Sequence, residues 1–312
     1  MKNYHKLSRI ALPLAVFFAS FSSIFIRWST APSLIIAFYR MMFAGLLVLP
    51  YFGYRKVFPR SGEKEGGSPG QTRKNRTGTD RAGTDRAGPR EILLSLLSGF
   101  FLAAHFATWI SSLRYTSIAS SVLLVNTHPV MVFFLSRVFL KEGGGRREFF
   151  YVIVTVVGSI VLSWGDLAKG NHVLLGDLLA ILGALSVGAY MTLGRVVRRS
   201  MGVTNYTTLV YFTSALVLFV VVTLGGIPLG PYAAREFALF LGLAFFCTIL
   251  GHSVYSWALK YVSSTYLSLN ILIEPILAGI LAFFIFQEVP TVVNGIGAFI
   301  VLVGIYGYSR EK

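Results

Sequence analysis

Runs of mostly apolar residues alternate with short polar connections along the chain. Ten of the runs reach the roughly 17 to 23 residues that a helix needs to cross a bilayer core. They span 9–28, 33–53, 91–112, 117–139, 148–164, 175–196, 204–224, 236–258, 264–286 and 291–308. Each predicts a transmembrane α-helix, and the connections between them leave no room for a separate soluble domain. One connection differs. Residues 55–90 carry the tandem copy GTDRAGTDRAG and abundant Gly, Arg and Thr, a composition that buries too little apolar surface to fold. The segment is expected to be a disordered loop, with a basic segment lying on anionic headgroups as the second reading.

Composition agrees with lipid as the solvent. Of 312 residues 54% are hydrophobic, the mean hydropathy is +0.68 and only 13% are charged, against about 25% in soluble chains. The net charge of +15 raises the question of nucleic acid, and its distribution answers it. The basic residues fall between the apolar runs, not on one folded face, so no nucleic-acid partner is expected. Counted by side, 22 of the 28 basic residues share the side of the N-terminus and 4 lie on the other; without 55–90 the bias is 12 to 4. Both termini are therefore expected in the cytoplasm, in a multi-pass protein of the plasma membrane. The first run, ending at Arg27 and Trp28, is expected to be retained as a helix and not cleaved as a signal peptide. The single cysteine, Cys247, excludes an intramolecular disulfide.

An ungapped shift of 146 residues lays LRYTSIASSVLLVNTHPVMVFFLSRVFLKE, from Leu113, over LKYVSSTYLSLNILIEPILAGILAFFIFQE, from Leu259. Tyr115, Ser117, Pro129 and Glu142 fall on Tyr261, Ser263, Pro275 and Glu288, and Val157-Gly158 falls on Val303-Gly304. Each unit then holds five helices. Because five is odd, the second unit enters the membrane from the opposite side, an inverted repeat of the kind found in secondary transporters. The expected domains are residues 1–164, with the 55–90 insertion, and residues 175–308. Ten helices in a five-plus-five repeat, the second helix PSLIIAFYRMMFAGLLVLP, and a Pro followed thirteen residues later by Glu in the fourth and ninth helices resemble the EamA family of the drug/metabolite transporter superfamily. The resemblance covers nearly the whole chain except 55–90. It implies a membrane carrier with cytoplasmic termini, many of whose relatives export amino acids or other small metabolites.

Glu274, in LNILIEPILAG, sits near the middle of the ninth run. A carboxylate there costs several kcal/mol unless paired, hydrated or protonated. Pro275 frees the carbonyl of residue 271 and predicts a kink. The functional reading is a proton or substrate site; the alternative is a hydrogen-bonded Glu that locks two helices. The shift of 146 places His128, before Pro129, on Glu274, before Pro275, so the two halves offer an ionisable pair at equivalent depth. Asn126 and Asn270 precede them closely. His105 and Trp109 share a face of the third helix, and His252 and Tyr255 lie close together on the eighth. These groups are candidates for substrate binding or coupling, with helix packing as the competing role. Arg40 is read three ways: neutralising Glu274, holding a substrate carboxylate, or snorkelling to headgroups. Glu142 and Glu288 are expected to bond amides at the start of the following helix. Gly158, Gly183, Gly188, Gly194, Gly279, Gly297 and Gly304 are expected to let helices approach closely.

Together these readings predict an all-α membrane carrier for a small-molecule solute, alternating between two inverted repeats and coupled to protons. The alternative is an uncoupled facilitator of the same fold, then an intramembrane enzyme or a sensor. No Gly-x-Gly-Asp, Gly-x-Ser-Gly or phosphate-loop motif is present, so no catalytic role is expected. No cofactor or metal is expected: the histidines lack ligand spacing. A second copy of the chain is a candidate partner.

Overall fold

The computed structural model describes residues 2–57, 88–112, 115, 121, 124–142, 144–164, 173–287 and 291–311, and every regular element among them is helical. In chain order these are α1 (Lys2–Trp28), α2 (Ser33–Val57), α3 (Pro89–Ser112), α4 (His128–Leu140), α5 (Arg146–Trp164), α6 (Val173–Val197), α7 (Val203–Leu224), α8 (Ala234–Ala258), α9 (Ser264–Phe286) and α10 (Val292–Arg310). All but α4 and α5 are long and apolar enough to cross a membrane, eight in all among the described residues. In α5 the first turn is Arg146, Arg147 and Glu148, which shortens its apolar stretch. Much of the run 117–127 that precedes α4 lies outside the described residues. So does most of 55–90, although α2 continues to Val57 and α3 starts at Pro89.

Two helices are irregular. Residues Leu243–His252 of α8 and Ser136–Leu140 of α4 form wide π-helical turns, a departure that often marks functional sites. Thr248 follows the wider repeat, its hydroxyl bonding the Leu243 carbonyl five residues back at 3.2 Å.

The principal helix contacts recur when the two halves are exchanged. α3 packs on α6 and α7, while α8 packs on α1 and α2; α4 packs on α6, while α9 packs on α1. The pairs α2 with α7, α4 with α9 and α5 with α10 exchange onto themselves. At the α5–α10 crossing a Cβ on Gly158 would lie 2.6 Å from the Val301 nitrogen, and one on Gly304 would lie 2.8 Å from the Thr155 nitrogen. Residue 155 corresponds to 301 and 158 to 304 under the shift of 146, so the contact is reciprocal, as in an isologous interface. Gly279 does not follow the expectation of close packing: nothing lies within 4 Å of its Cβ position.

The helix ends repeat as well. α4 stops at Lys141 (φ 53°) and α9 at Gln287 (φ 59°), the two non-glycine residues in the left-handed region among those described. Their amides donate to Ser136 O and Ala282 O, again positions related by 146. The largest buried cluster, with Leu12, Ile35, Met41, Phe106, Met191 and Tyr206, joins α1, α2, α3, α6, α7 and α8. A smaller one joins α4, α5, α9 and α10 through Phe133, Val152, Leu269 and Val301.

Candidate functional site

A turn precedes the proline at the start of α4, and a matching turn interrupts α9 where the sequence puts its proline. Asn126 and Thr127 form a turn before His128-Pro129, and Leu272 and Ile273 form one before Glu274-Pro275. A proline cannot donate to the carbonyl four residues back and its ring crowds that carbonyl. The chain therefore tightens: Thr127 N–H donates to Leu124 O at 3.2 Å, and at the corresponding place Ile273 N–H donates to Asn270 O at 3.1 Å. Each turn delivers one ionisable side chain, His128 or Glu274, at the start of a helical segment.

These turns border a cavity of about 140 Å³. At about 30 Å³ per water in the liquid, it has room for roughly five waters or a compact organic solute. Its walls come from both halves. Of the sequence candidates, Arg40, His105, Trp109, Asn126, His128, His252, Glu274 and Pro275 line it. Tyr255 stands behind the wall, its hydroxyl donating to Glu274 Oε1 at 2.8 Å. Pro129 and Asn270 are not on the lining; Asn270 instead donates from Nδ2 to Tyr266 O of its own helix at 2.7 Å.

Arg40 is 1% exposed, so it does not reach toward headgroups. Its Nε donates to Thr248 Oγ1 and its Nη1 to Ser22 Oγ, both at 2.9 Å. Its guanidinium carbon lies 4.4 Å from the Phe106 ring centre. The cation is thereby pinned by α1, α3 and the π-helical turn of α8. Ser20, Ser22, Ser23 and Phe106 also line the cavity and were not singled out from the sequence. The run SFSS at 20–23, inside an apolar helix, was the available signal, but small polar residues also serve packing.

The imidazoles are oriented by backbone. His105 Nδ1 lies 3.0 Å from Gly183 O, and His128 Nδ1 lies 3.1 Å from Val125 O. A carbonyl only accepts, so in each neutral ring Nδ1 carries the proton and Nε2 presents a lone pair. His105 stacks on Trp109 at 5.7 Å and 13°. His252 stands edge-on to Phe106 and Tyr255. Four buried polar atoms on this wall have no hydrogen-bond partner among protein groups: Trp109 Nε1, Asn126 Nδ2, His128 Nε2 and His252 Nδ1. Buried polar groups are normally satisfied. Their concentration here marks a surface suited to a polar solute or water. Among the described residues no three His, Cys, Asp or Glu side chains gather as a metal-ligand set.

Away from the cavity, at the far end of α4, Glu142 does not bond the amides of the next helix as expected. It pairs with Arg195 at 2.9 Å and with Arg199, while Arg195 Nη1 also donates to Leu259 O. Burial alone would raise the Glu142 carboxyl, but the hydrogen bonds and charges of Arg195 and Arg199 outweigh it and hold the carboxyl below its usual range. Its counterpart Glu288 lies outside the described residues.

The model of the EamA-like transporter family matches residues 8–164 and 174–310. An uncharacterized transporter of Archaeoglobus fulgidus is 26% identical over 294 residues, covering 93% of this chain and 91% of the relative. The uncharacterized transporter YyaM of Bacillus subtilis is 25% identical over 209 residues, 64% of this chain and 67% of the relative. A crystal structure of another protein superposes with a TM-score of 0.76 over 98% of both chains at 14% identity, a likeness of fold.

Proposed function

The chain belongs to the EamA-like transporter family, and from that premise we propose that it is a secondary carrier exporting a small organic solute, such as an amino acid or related metabolite. It works by alternating access between two inverted five-helix repeats, residues 1–164 and 175–308, with ten membrane crossings and both termini in the cytoplasm. The observation that carries this reading is the cavity between the halves, bordered by matching turns at the start of α4 and within α9 that present His128 and Glu274. Support also comes from helix contacts that survive exchange of the halves and from the basic residues gathered on one side. Two near-equivalent halves can trade conformations and so expose one site to each side in turn.

In this cycle Glu274 takes up and releases a proton, with Tyr255 donating to its carboxylate and the lone pair of His128 Nε2 available to the solute. Arg40 supplies a fixed positive charge on the same wall. The test is the thermal stability of purified protein against a panel of amino acids and other metabolites, for the native chain and Glu274→Gln side by side. A solute that raises the melting temperature of the native chain by mass action and loses that effect in the variant supports the site. Stabilisation of both to the same degree would move Glu274 out of the binding site, and a panel that stabilises neither speaks against the carrier reading. Identical flux with and without an imposed pH gradient would leave an uncoupled facilitator of the same fold.

A further inference from the structure

A second polar cluster lies along the same helices, at the end where α3 and α7 begin and α6 and α8 finish. Ser98 Oγ is 2.7 Å from Tyr206 OH, Tyr190 OH is 3.0 Å from Ser256 Oγ, and Tyr211 OH is 2.8 Å from Ser253 Oγ. Tyr190, Tyr206 and Tyr211 are at most 3% exposed. Below them Arg198, 2% exposed, donates from Nε to Ser256 O at 2.9 Å and from Nη1 to Met201 O. At a rise of 1.5 Å per residue, Ser98 sits roughly 10 Å along α3 from His105 on the cavity wall, and Ser256 roughly 6 Å along α8 from His252.

Resting on the carrier reading above, we infer that this cluster is the inner leg of the solute's path in its closed form, running between α3, α6, α7 and α8 to the cytoplasmic face, with Arg198 as its stopper. Three observations carry it. Exchanging the halves turns α3, α6, α7 and α8 into α8, α1, α2 and α3, the helices that supply Ser22, Arg40, Thr248 and His105 around the cavity. The cluster therefore lies on the helices equivalent to those around the cavity, but drawn together. Its bonds are also of a different kind from those at the α5–α10 crossing, where the Thr155 hydroxyl bonds its own helix at Tyr151 O, 2.7 Å away. Here hydroxyl meets hydroxyl across helices, and each group donates and accepts, so water replaces either partner without leaving an unsatisfied atom. Finally, the clamps by Arg198 and Arg195 fall on Ser256 O and Leu259 O, at the end of α8, where parting the helices would open the path to water.

The experiment uses inside-out membrane vesicles and a membrane-impermeant quaternary-ammonium thiosulfonate, in a Cys247→Ser background so that each new thiol is the sole target. Ser98→Cys and Ser256→Cys report on the path. Leu216→Cys, 62% exposed on the outer surface of α7, reports on lipid, and Lys260→Cys reports that the reagent reaches the cytoplasmic face. The expected result is modification of the two path thiols from the cytoplasmic side, rising about tenfold when Tyr206→Phe removes one hydroxyl link. Leu216→Cys stays unmodified throughout. If Ser98→Cys and Ser256→Cys remain as inert as Leu216→Cys with and without Tyr206→Phe, while Lys260→Cys reacts, the cluster is packing and the inference is overturned. Solute flux in the same vesicles separates the two claims. Flux with inert path thiols removes the route and keeps the carrier; reactive thiols without flux keep the water-accessible route and remove the carrier.

Discussion

The Tyr255 hydroxyl lies 2.8 Å from Glu274 Oε1, a bond from the last turns of α8 to the first residue beyond the break in α9. It ties the wall of one half of the cavity to the hinge of the same repeat. Tyr255→Phe removes the donor and little else. A hydrogen bond of this kind contributes about 0.5 to 1.5 kcal/mol, so denaturant unfolding in detergent should show a loss in that range. Glu274→Gln keeps an accepting oxygen for Tyr255 and is expected to lose less. A larger loss in Glu274→Gln than in Tyr255→Phe would show that the bond is not what holds the hinge.

Arg40→Met should be among the most damaging single changes in the chain. It deletes two charge-assisted bonds, to Ser22 and Thr248, and leaves both hydroxyls facing an apolar side chain. The expected cost is about 3 kcal/mol, seen as a lowered melting temperature. Arg40→Lys keeps the charge but not the planar fork that lies over Phe106, and is expected to recover only part of it.

The pair of Glu142 with Arg195 and Arg199 predicts a dependence on acid. The Glu142 carboxyl is held below its ordinary value in the folded chain by Arg195 and Arg199. Its stabilisation is thus fully present above that value and is lost as pH falls through the lowered folded value. Melting temperatures measured near pH 7 and again in acid should differ less for Glu142→Gln than for the native chain. An equal acid-induced drop in both would mean that other carboxylates control the loss.

Two glycine substitutions should move in opposite directions. Gly158→Ala pushes a methyl to 2.6 Å from the Val301 nitrogen, a backbone atom that cannot turn aside, and overpacking of this sort costs about 1 to 3 kcal/mol. Gly279→Ala meets nothing within 4 Å and should gain roughly 0.5 to 1 kcal/mol from the better helix former. Unfolding measurements on the two variants test the assignment of α5 and α10 as a tight crossing.

The helices were legible because apolar length dictates them, and the equivalence of the turns was legible because Pro129 and Pro275 impose the same local geometry. His128 and Glu274 could be brought together by the shift of 146 alone. Other features depend on neighbours that are remote in sequence. The wide turn at Leu243–His252 contains no proline to announce it, yet it carries the Thr248 hydroxyl that holds Arg40. Asn270 carries the same polar side chain as Asn126, but only Asn126 borders the cavity, because Asn270 finds a carbonyl on its own helix. Glu142 departs from expectation for a similar reason: its partners, Arg195 on α6 and Arg199 just past its end, are more than fifty residues away in the chain. Gly279 stands in a run of small and apolar residues that reads like a contact stripe, and only the arrangement of its neighbours shows that the stripe has no opposite member.

Arg40 is held on three sides, by Ser22, Thr248 and the Phe106 ring, so its guanidinium has a fixed place on the wall. A positive charge on the wall of a narrow, low-dielectric space repels small inorganic cations over several ångströms. In the proposed carrier such a charge would disfavour Na⁺ and K⁺ following the organic solute, and a membrane holding many copies of the protein would keep its electrical insulation.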